Sequence, residues 1–355
     1  MVIKVDEMPA KIIFTKELLK WNKLKNKRAM PWKNEKDPYK IWISEIILQQ
    51  TRVNQGLEYY NRFIARFPEV KSIALAKESE VFKMWEGLGY YSRCKNIIVS
   101  AKYIYNDLGG KFPDEFENIL NLKGVGTYTA SAIASFAYNL PFAVVDGNVY
   151  RVLSRYFAQK IPVDTGKGKQ FYNILANELL DKNSPGVYNQ SIMDFGATIC
   201  KPLPLCEICP FNLNCEGCLK GIHLQLPVKE KSIIKKNRWL YYLQIKYRNK
   251  FYIKKREEKD IWQNLYEFVL LENSHPLTIK KLLKIEEFQA IFHENEYKIE
   301  GISEVIKQQL THQSINAQFI SISVKSPLPI PYQLVTPEEM KNLPFPKIIN
   351  TYLKD

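Results

Sequence analysis

Asp37-Pro38-Tyr39-Lys40-Ile41-Trp42-Ile43-Ser44-Glu45-Ile46-Ile47-Leu48-Gln49-Gln50-Thr51 is the stretch from which the rest of the chain is read. Pro38 suits the first turn of a helix and no later position. From Tyr39 onward apolar residues lie on nearly every side, and a helix apolar all round is a buried one. Glu45 sits in its middle. An unpaired buried carboxylate is costly, and desolvation raises its pKa. A carboxylic acid kept protonated near neutrality can serve as a general acid. The plainer alternative is a Glu45 paired with a core Arg or Lys, or one that reaches the surface, because structural ion pairs also perturb pKa.

The 355 residues suggest two or three domains with length for a large core. Hydrophobic and charged fractions are those of an ordinary soluble globular protein. No apolar run is long enough to span a bilayer, and Met1-Val2-Ile3-Lys4-Val5-Asp6-Glu7 lacks the apolar core of a signal peptide. The expected location is cytoplasmic, at the nucleoid, with no membrane partner. A net charge of +14 suits a polyanion, with phosphate contacts supplying sequence-independent affinity. Solvated lysine faces would give the same excess. Of six cysteines, Cys94 stands alone and five fall between Cys200 and Cys218. In a reducing compartment such a group reads as a metal site before it reads as disulfides.

Ahead of residue 237 the patterning predicts helices only. They fall at Phe67 to Ala76, Glu80 to Glu86, Tyr91 to Leu108, Asn118 to Leu122, Thr129 to Tyr138, Val149 to Phe157 and Gln170 to Leu180. Residues 221–237 are basic and weakly patterned, as in a linker. After them come a hairpin over Arg238 to Arg256, a strand at Phe268 to Leu271, and a helix from Thr278 to Phe292. Strands at Ile302 to Gln309 and Ala317 to Val324 follow, then a capping box at Thr336-Pro337-Glu338-Glu339. The expected organisation is an all-α catalytic domain over 1–220, a linker over 221–237, and a smaller α+β domain over 238–355.

Three further stretches carry chemistry. In Leu122-Lys123-Gly124-Val125-Gly126-Thr127, Gly124 and Gly126 allow a tight hairpin whose backbone N–H groups face outward beside a helix N-terminus. That is a phosphate site without base preference, or else a plain helix corner. In Val144-Val145-Asp146-Gly147-Asn148, Asp146 is a turn residue and Asn148 a helix cap, or Asp146 is the second carboxylate beside Glu45. Breaking a glycosidic bond builds positive charge on the sugar; one carboxylate stabilises it while the other protonates the leaving group. The third stretch, Cys200-x5-Cys206-x2-Cys209-x5-Cys215, suits an iron–sulfur cluster better than a zinc ribbon, with Cys218 left over.

Acidic helix, hairpin, aspartate and four-cysteine loop occur in this order. With Trp85-Glu86-Gly87-Leu88-Gly89-Tyr90-Tyr91 and Leu310-Thr311-His312, they make the chain resemble the endonuclease III superfamily of helix-hairpin-helix DNA glycosylases. More narrowly, it resembles the MutY family of adenine DNA glycosylases. The resemblance implies an all-α helix-hairpin-helix domain with an iron–sulfur loop and a smaller Nudix-like domain. It implies base flipping and a monomer bound to double-stranded DNA carrying A opposite 8-oxoguanine or G. Glu45 would protonate adenine at N7, Asp146 would stabilise the sugar cation, and Tyr128 and Asn148 would assist. Gln50, Thr51, Leu88 and Tyr90 would wedge into the duplex and touch the 8-oxoguanine. Trp32 and Gln190 would line the adenine pocket. Thr311 and His312 would help tell 8-oxoguanine from guanine, Thr311 standing where the family has Ser. Cys200, Cys206, Cys209 and Cys215 would hold a 4Fe–4S cluster. The chain departs from the family at Lys33, where Arg is usual, and in a first cysteine gap one residue shorter.

Relatives that also cleave the strand carry a Lys nucleophile where this chain has Tyr128. A phenol cannot form a Schiff base, so a monofunctional enzyme leaving an abasic site is expected. The C-terminal domain lacks the glutamate-rich magnesium signature of Nudix hydrolases and is expected to recognise rather than to hydrolyse. The rival readings are a glycosylase for T opposite G or for oxidised pyrimidines, and a non-catalytic iron–sulfur DNA-binding protein.

Overall fold

The computed structural model describes residues 8–30, 33–51, 53–230, 235–293 and 295–354, with side chains from Lys11 onward; Trp32, expected in the base pocket, lies outside them. The chain divides into two compact units. One comprises Met1–Ala74 and Val99–Lys231, the other Leu75–Ile98 and Ser232–Asp355. No helix of the described residues is long and apolar enough to cross a membrane.

Every regular element among the first unit's described residues is a helix. The Asp37 carboxylate caps the helix Pro38–Leu48 by accepting from the Tyr39 N–H at 2.9 Å. Tyr39 and the run from Ile41 to Ile47 are buried. This helix packs on Thr127–Tyr138, whose buried stretch Ala130-Ser131-Ala132-Ile133-Ala134-Ser135 is mostly small and admits a close neighbour. The helix Gly147–Tyr156 packs on Pro185–Thr198. Their contact is close at Gly196, where a Cβ would stand 2.7 Å from the Asn148 Cβ and 2.9 Å from its carbonyl oxygen. Phe14, Tyr156, Phe195 and Phe211 gather beneath, with ring centroids 4.7–5.4 Å apart. Each such buried side chain contributes about 1.5–3 kcal/mol. The helices Met8–Lys25, Val53–Arg66 and Pro185–Thr198 were not among those expected.

The second unit is built on a sheet. Its strands are β1 (Lys236–Tyr247), β2 (Lys250–Lys255), β3 (Tyr266–Asn273), β4 (Tyr297–Ile302), β5 (Ile306–Gln309), β6 (Gln313–Val324) and β7 (Gln333–Val335). The order is β4-β6-β1-β3-β2-β7, with β5 also on β6. Among the described strands only β1 and β6 run parallel, from Lys236 opposite Gln313 to Tyr247 opposite Val324. The expected hairpin is there, turning at Arg248 with φ 53°, but β1 makes its longest pairing with β6. Residues 238–245 of β1 are largely buried on both faces, so the period-2 signal is weak there.

Two expected elements are broken. The helix over Thr278 to Phe292 is two helices, Ile279–Leu282 and Glu286–Phe292, and the strand over Ile302 to Gln309 is the end of β4 plus β5. The capping box at Thr336 forms as expected. Residues 75–98, placed by sequence in the helical domain, group with the sheet. Lys83 Nζ donates to the Leu343 carbonyl at 3.0 Å, and the Phe345 N–H donates to Glu86 Oε1 at 2.7 Å. These partners lie some 260 residues away, beyond the reach of any local pattern.

Candidate active site

Glu45 is 7% exposed, and its Oε2 accepts the Tyr128 hydroxyl at 2.8 Å. Burial raises its pKa to about 7; the Tyr128 hydrogen bond opposes this and the Asp146 charge adds to it. Desolvation likewise holds the Tyr128 phenol far above its ordinary value, so it stays a donor. Asp146 caps the helix Gly147–Tyr156. Its Oδ1 accepts the N–H groups of Asn148 and Val149, both at 2.8 Å, and its Oδ2 the Asn148 side-chain amide at 2.6 Å. Burial raises the Asp146 pKa; these donors and the Arg151 charge work against it. Arg151 holds the Asn148 amide oxygen at 2.7 Å and the Gly196 carbonyl at 2.9 Å. The turn reading and the carboxylate-pair reading of Asp146 are therefore compatible.

Glu45, Tyr128, Asp146 and Asn148 line one cavity of about 510 Å³, together with Arg28, Gln50, Thr51, Gln190 and Met193. That is the size of a small-molecule site. Gln50 adopts φ 58°, a backbone strain of the kind found at functional positions. A smaller cavity, of about 110 Å³, is lined by Glu45, Gln190 and Lys33 among others. Lys33 Nζ lies 3.1 Å from Asp194 Oδ2. Asp194 was missed from the sequence because nothing local marks it: its partners Asn26, Arg28 and Lys33 lie 161–168 residues away. The i,i+4 step from Gln190 was its one available signal.

The expected hairpin lies between the helices Phe116–Leu120 and Thr127–Tyr138. Gly124 takes φ 81°, where a side chain would be strained, and the Val125 N–H closes the turn on the Leu122 carbonyl at 3.0 Å. A Cβ on Gly126 would meet only open space. The backbone at this helix start is thus open to a close approach.

In the second unit, Leu88, Tyr90, Thr311 and His312 line a single cavity of about 620 Å³ with Trp262, Gln263 and Asn264. The Tyr90 and Thr311 hydroxyls are hydrogen-bonded to each other. Thr311 and His312 occupy the turn between β5 and β6, as expected. Tyr90, Trp262 and Asn264 all have positive φ, at 48°, 62° and 72°.

Cys200, Cys206, Cys209, Cys215 and Cys218 line one small cavity, none in a disulfide. Among the described residues, no three His, Cys, Asp or Glu side chains stand ready to hold a metal ion. The surroundings nevertheless suit thiolate ligands. Arg155 lies 3.5 Å from the Cys200 sulfur, and the Phe211 N–H donates to Cys209 at 3.4 Å. Burial pushes the Cys209 thiol up to about 12 and Cys215 to about 11, so buried thiolates here call for a cation. Arg155 also ties the loop down through the carbonyls of Lys201, Pro202, His223 and Leu226. Spacing distinguishes Cys215 from Cys218 no better in space than in sequence, since both line the cavity.

Comparison with known proteins agrees with this geometry. Residues 43–166 match the HhH-GPD superfamily of base excision DNA repair proteins, and residues 240–355 match the NUDIX domain. An adenine DNA glycosylase of Buchnera aphidicola subsp. Schizaphis graminum is 38% identical over 259 residues, 72% of this chain and 74% of that protein. A thermostable thymine-DNA glycosylase of known structure is 30% identical with a TM-score of 0.56, covering 60% of this chain and 98% of its own. Endonuclease III trapped covalently on DNA shares the fold at 19% identity and a TM-score of 0.53, over 62% of this chain and all of its own.

Proposed function

This chain belongs to the adenine DNA glycosylase family, and on that premise we propose that it binds double-stranded DNA as a monomer and removes adenine paired with 8-oxoguanine or guanine. The observation that carries the reading is Glu45, buried, held at a pKa of about 7, and lining the same cavity as Asp146. A flipped adenine leaves easily only once its ring is protonated, and an acid of that pKa can give up a proton at neutral pH. Glu45 donates to N7 while Tyr128 fixes the other carboxylate oxygen. Asp146, held by three N–H donors, stabilises the cation that develops on the sugar. Gln50 and Thr51 enter the duplex, and the N–H groups at Gly124 and Gly126 hold a phosphate. Leu88, Tyr90, Thr311 and His312 contact the base opposite.

Cys200, Cys206, Cys209 and Cys215 would hold a 4Fe–4S cluster. Bound there, it would supply a structural tie for the loop over 200–218 and take no part in the hydrolysis. Glu267 is paired with Arg256, and Glu272 and Asp260 with Arg238, so these three carboxylates are already neutralised by arginines, which supports a recognition role for that unit. Likeness to a thymine-DNA glycosylase keeps excision of T opposite G as the second reading. The adenine reading is favoured by a relative that spans more of the chain, and by the NUDIX match.

Strand fate tests the mechanism. The wild type should leave an alkali-labile site, nick DNA poorly by itself, and give little adduct with borohydride, because Tyr128 offers no amine. Tyr128→Lys should gain trapping. Efficient nicking by the wild type would instead favour the oxidised-pyrimidine reading.

A further inference from the structure

Asp194 is fully buried and receives four donors. Its Oδ1 accepts from Arg28 Nη1 and Gln190 Nε2, both at 2.8 Å; its Oδ2 accepts from Asn26 Nδ2 at 2.8 Å and Lys33 Nζ at 3.1 Å. A carboxylate only accepts, and four donors occupy its lone pairs. The side of the Gln190 amide that faces Asp194 must therefore be nitrogen. Its oxygen is turned away, and among the described residues Gln190 Oε1 accepts no hydrogen bond. Gln190 is also one of the residues shared, with Glu45, by the two cavities of this site.

From this arrangement we infer that Asp194 is a positioning residue for base discrimination: it locks the Gln190 amide so that the site presents an acceptor to the flipped base. The inference rests on the adenine-excision reading. Adenine carries an amino group at C6, a donor that satisfies Gln190 Oε1. Thymine, guanine and hypoxanthine carry a carbonyl at the corresponding place, which would leave two acceptors face to face. A freely rotating amide would accept either group, since Gln offers a donor at one end and an acceptor at the other. The fixed orientation removes that ambiguity, and rejection of a mismatched polar group is a stronger filter than a difference in size. Lys33 and Arg28, held on the same carboxylate, keep it from turning.

Single-turnover excision from duplexes carrying adenine, unsubstituted purine or hypoxanthine opposite G tests the inference. For the wild type, adenine should exceed purine by about tenfold, the loss of one hydrogen bond, with hypoxanthine slower still. In Gln190→Met the adenine-to-purine ratio should fall to near one, whereas in Asp194→Asn it should persist, because the released amide can still turn its oxygen to adenine. Asp194→Asn should instead lift hypoxanthine relative to adenine, because the asparagine amide lets Gln190 turn its nitrogen outward. A purely structural role would lower all three rates together and leave the ratios unmoved. Should Asp194→Asn melt below the assay temperature, combining it with Lys33→Gln removes a cation that it orphans, and the hypoxanthine-to-adenine ratio is read there. An unchanged hypoxanthine-to-adenine ratio in Asp194→Asn, with normal wild-type adenine release, would overturn the inference alone. No adenine release by the wild type would sink the excision reading and this inference with it.

Discussion

Replacing Glu45 with Gln should lower single-turnover adenine excision by roughly a hundredfold or more, the range of a lost general acid, while binding to the mispaired duplex persists. The amide keeps the shape and can still accept the Tyr128 hydroxyl, so the change isolates the proton. Wild-type excision should decline as pH rises through about 7, as the protonated fraction is lost; the variant's residual rate should lack that limb. Stability follows the same proton. The folded pKa lies above the unfolded value of about 4.3, so the wild type is most stable below that value. It loses stability as pH rises toward about 7, where the carboxylate must ionise in the core. Gln cannot ionise, so Glu45→Gln should equal the wild type in acid and exceed it above pH 7, by on the order of 3 kcal/mol. Thermal melts at pH 4.5 and 8 check the sign. Near-normal excision by the variant would remove Glu45 from the mechanism.

The second large effect should come from the cysteine loop. Purified protein should be brown with about four iron atoms per chain, and Cys215→Ser should lose both the iron and the excision activity. The loop sits hard on the helix that Asp146 caps. A Cβ on Gly217 would stand 2.5 Å from the Arg155 carbonyl oxygen, and the Cys200 carbonyl accepts from Arg151 at 3.3 Å. Loosening the loop therefore loosens the frame that orients the catalytic carboxylate, and misplacement of about 1 Å can cost a hundredfold in rate. Cys218→Ser should keep the cluster and the activity. The reverse outcome, iron lost with Cys218→Ser and kept with Cys215→Ser, would show that the short first gap has shifted the ligand set. Stoichiometric zinc without iron in anaerobically prepared protein would overturn the cluster assignment.

What could be read from the chain without coordinates was whatever depends on near neighbours. The apolar run around Glu45 announced a buried helix, and Gly124 and Gly126 announced a hairpin. Thr336 to Glu339 announced a helix start, and the strands expected over Ile302 to Gln309 and Ala317 to Val324 left Thr311 between them. The features that escaped depend on distant partners. Asp194 reads as one more polar position on the helix Pro185–Thr198 until Asn26, Arg28 and Lys33 arrive from the other end of the unit. Gly196 is unremarkable until Asn148 lies against it. Leu75–Ile98 has the same helical patterning as its neighbours in sequence, yet it groups with the sheet unit, where it bonds to Thr311, Leu343 and Phe345. The parallel pairing of β1 with β6 joins segments far apart in sequence, and no turn marks it.

The carboxylates of this cavity are expected to release adenine from a mispair. The most direct measurement is identification of the base freed from four duplexes: A opposite 8-oxoguanine, A opposite G, T opposite G, and thymine glycol. Adenine should be freed from the first two, faster opposite 8-oxoguanine, with the other two left intact. Release of thymine, or of thymine glycol, with adenine retained in both mispairs would rule out adenine excision by Glu45 and Asp146.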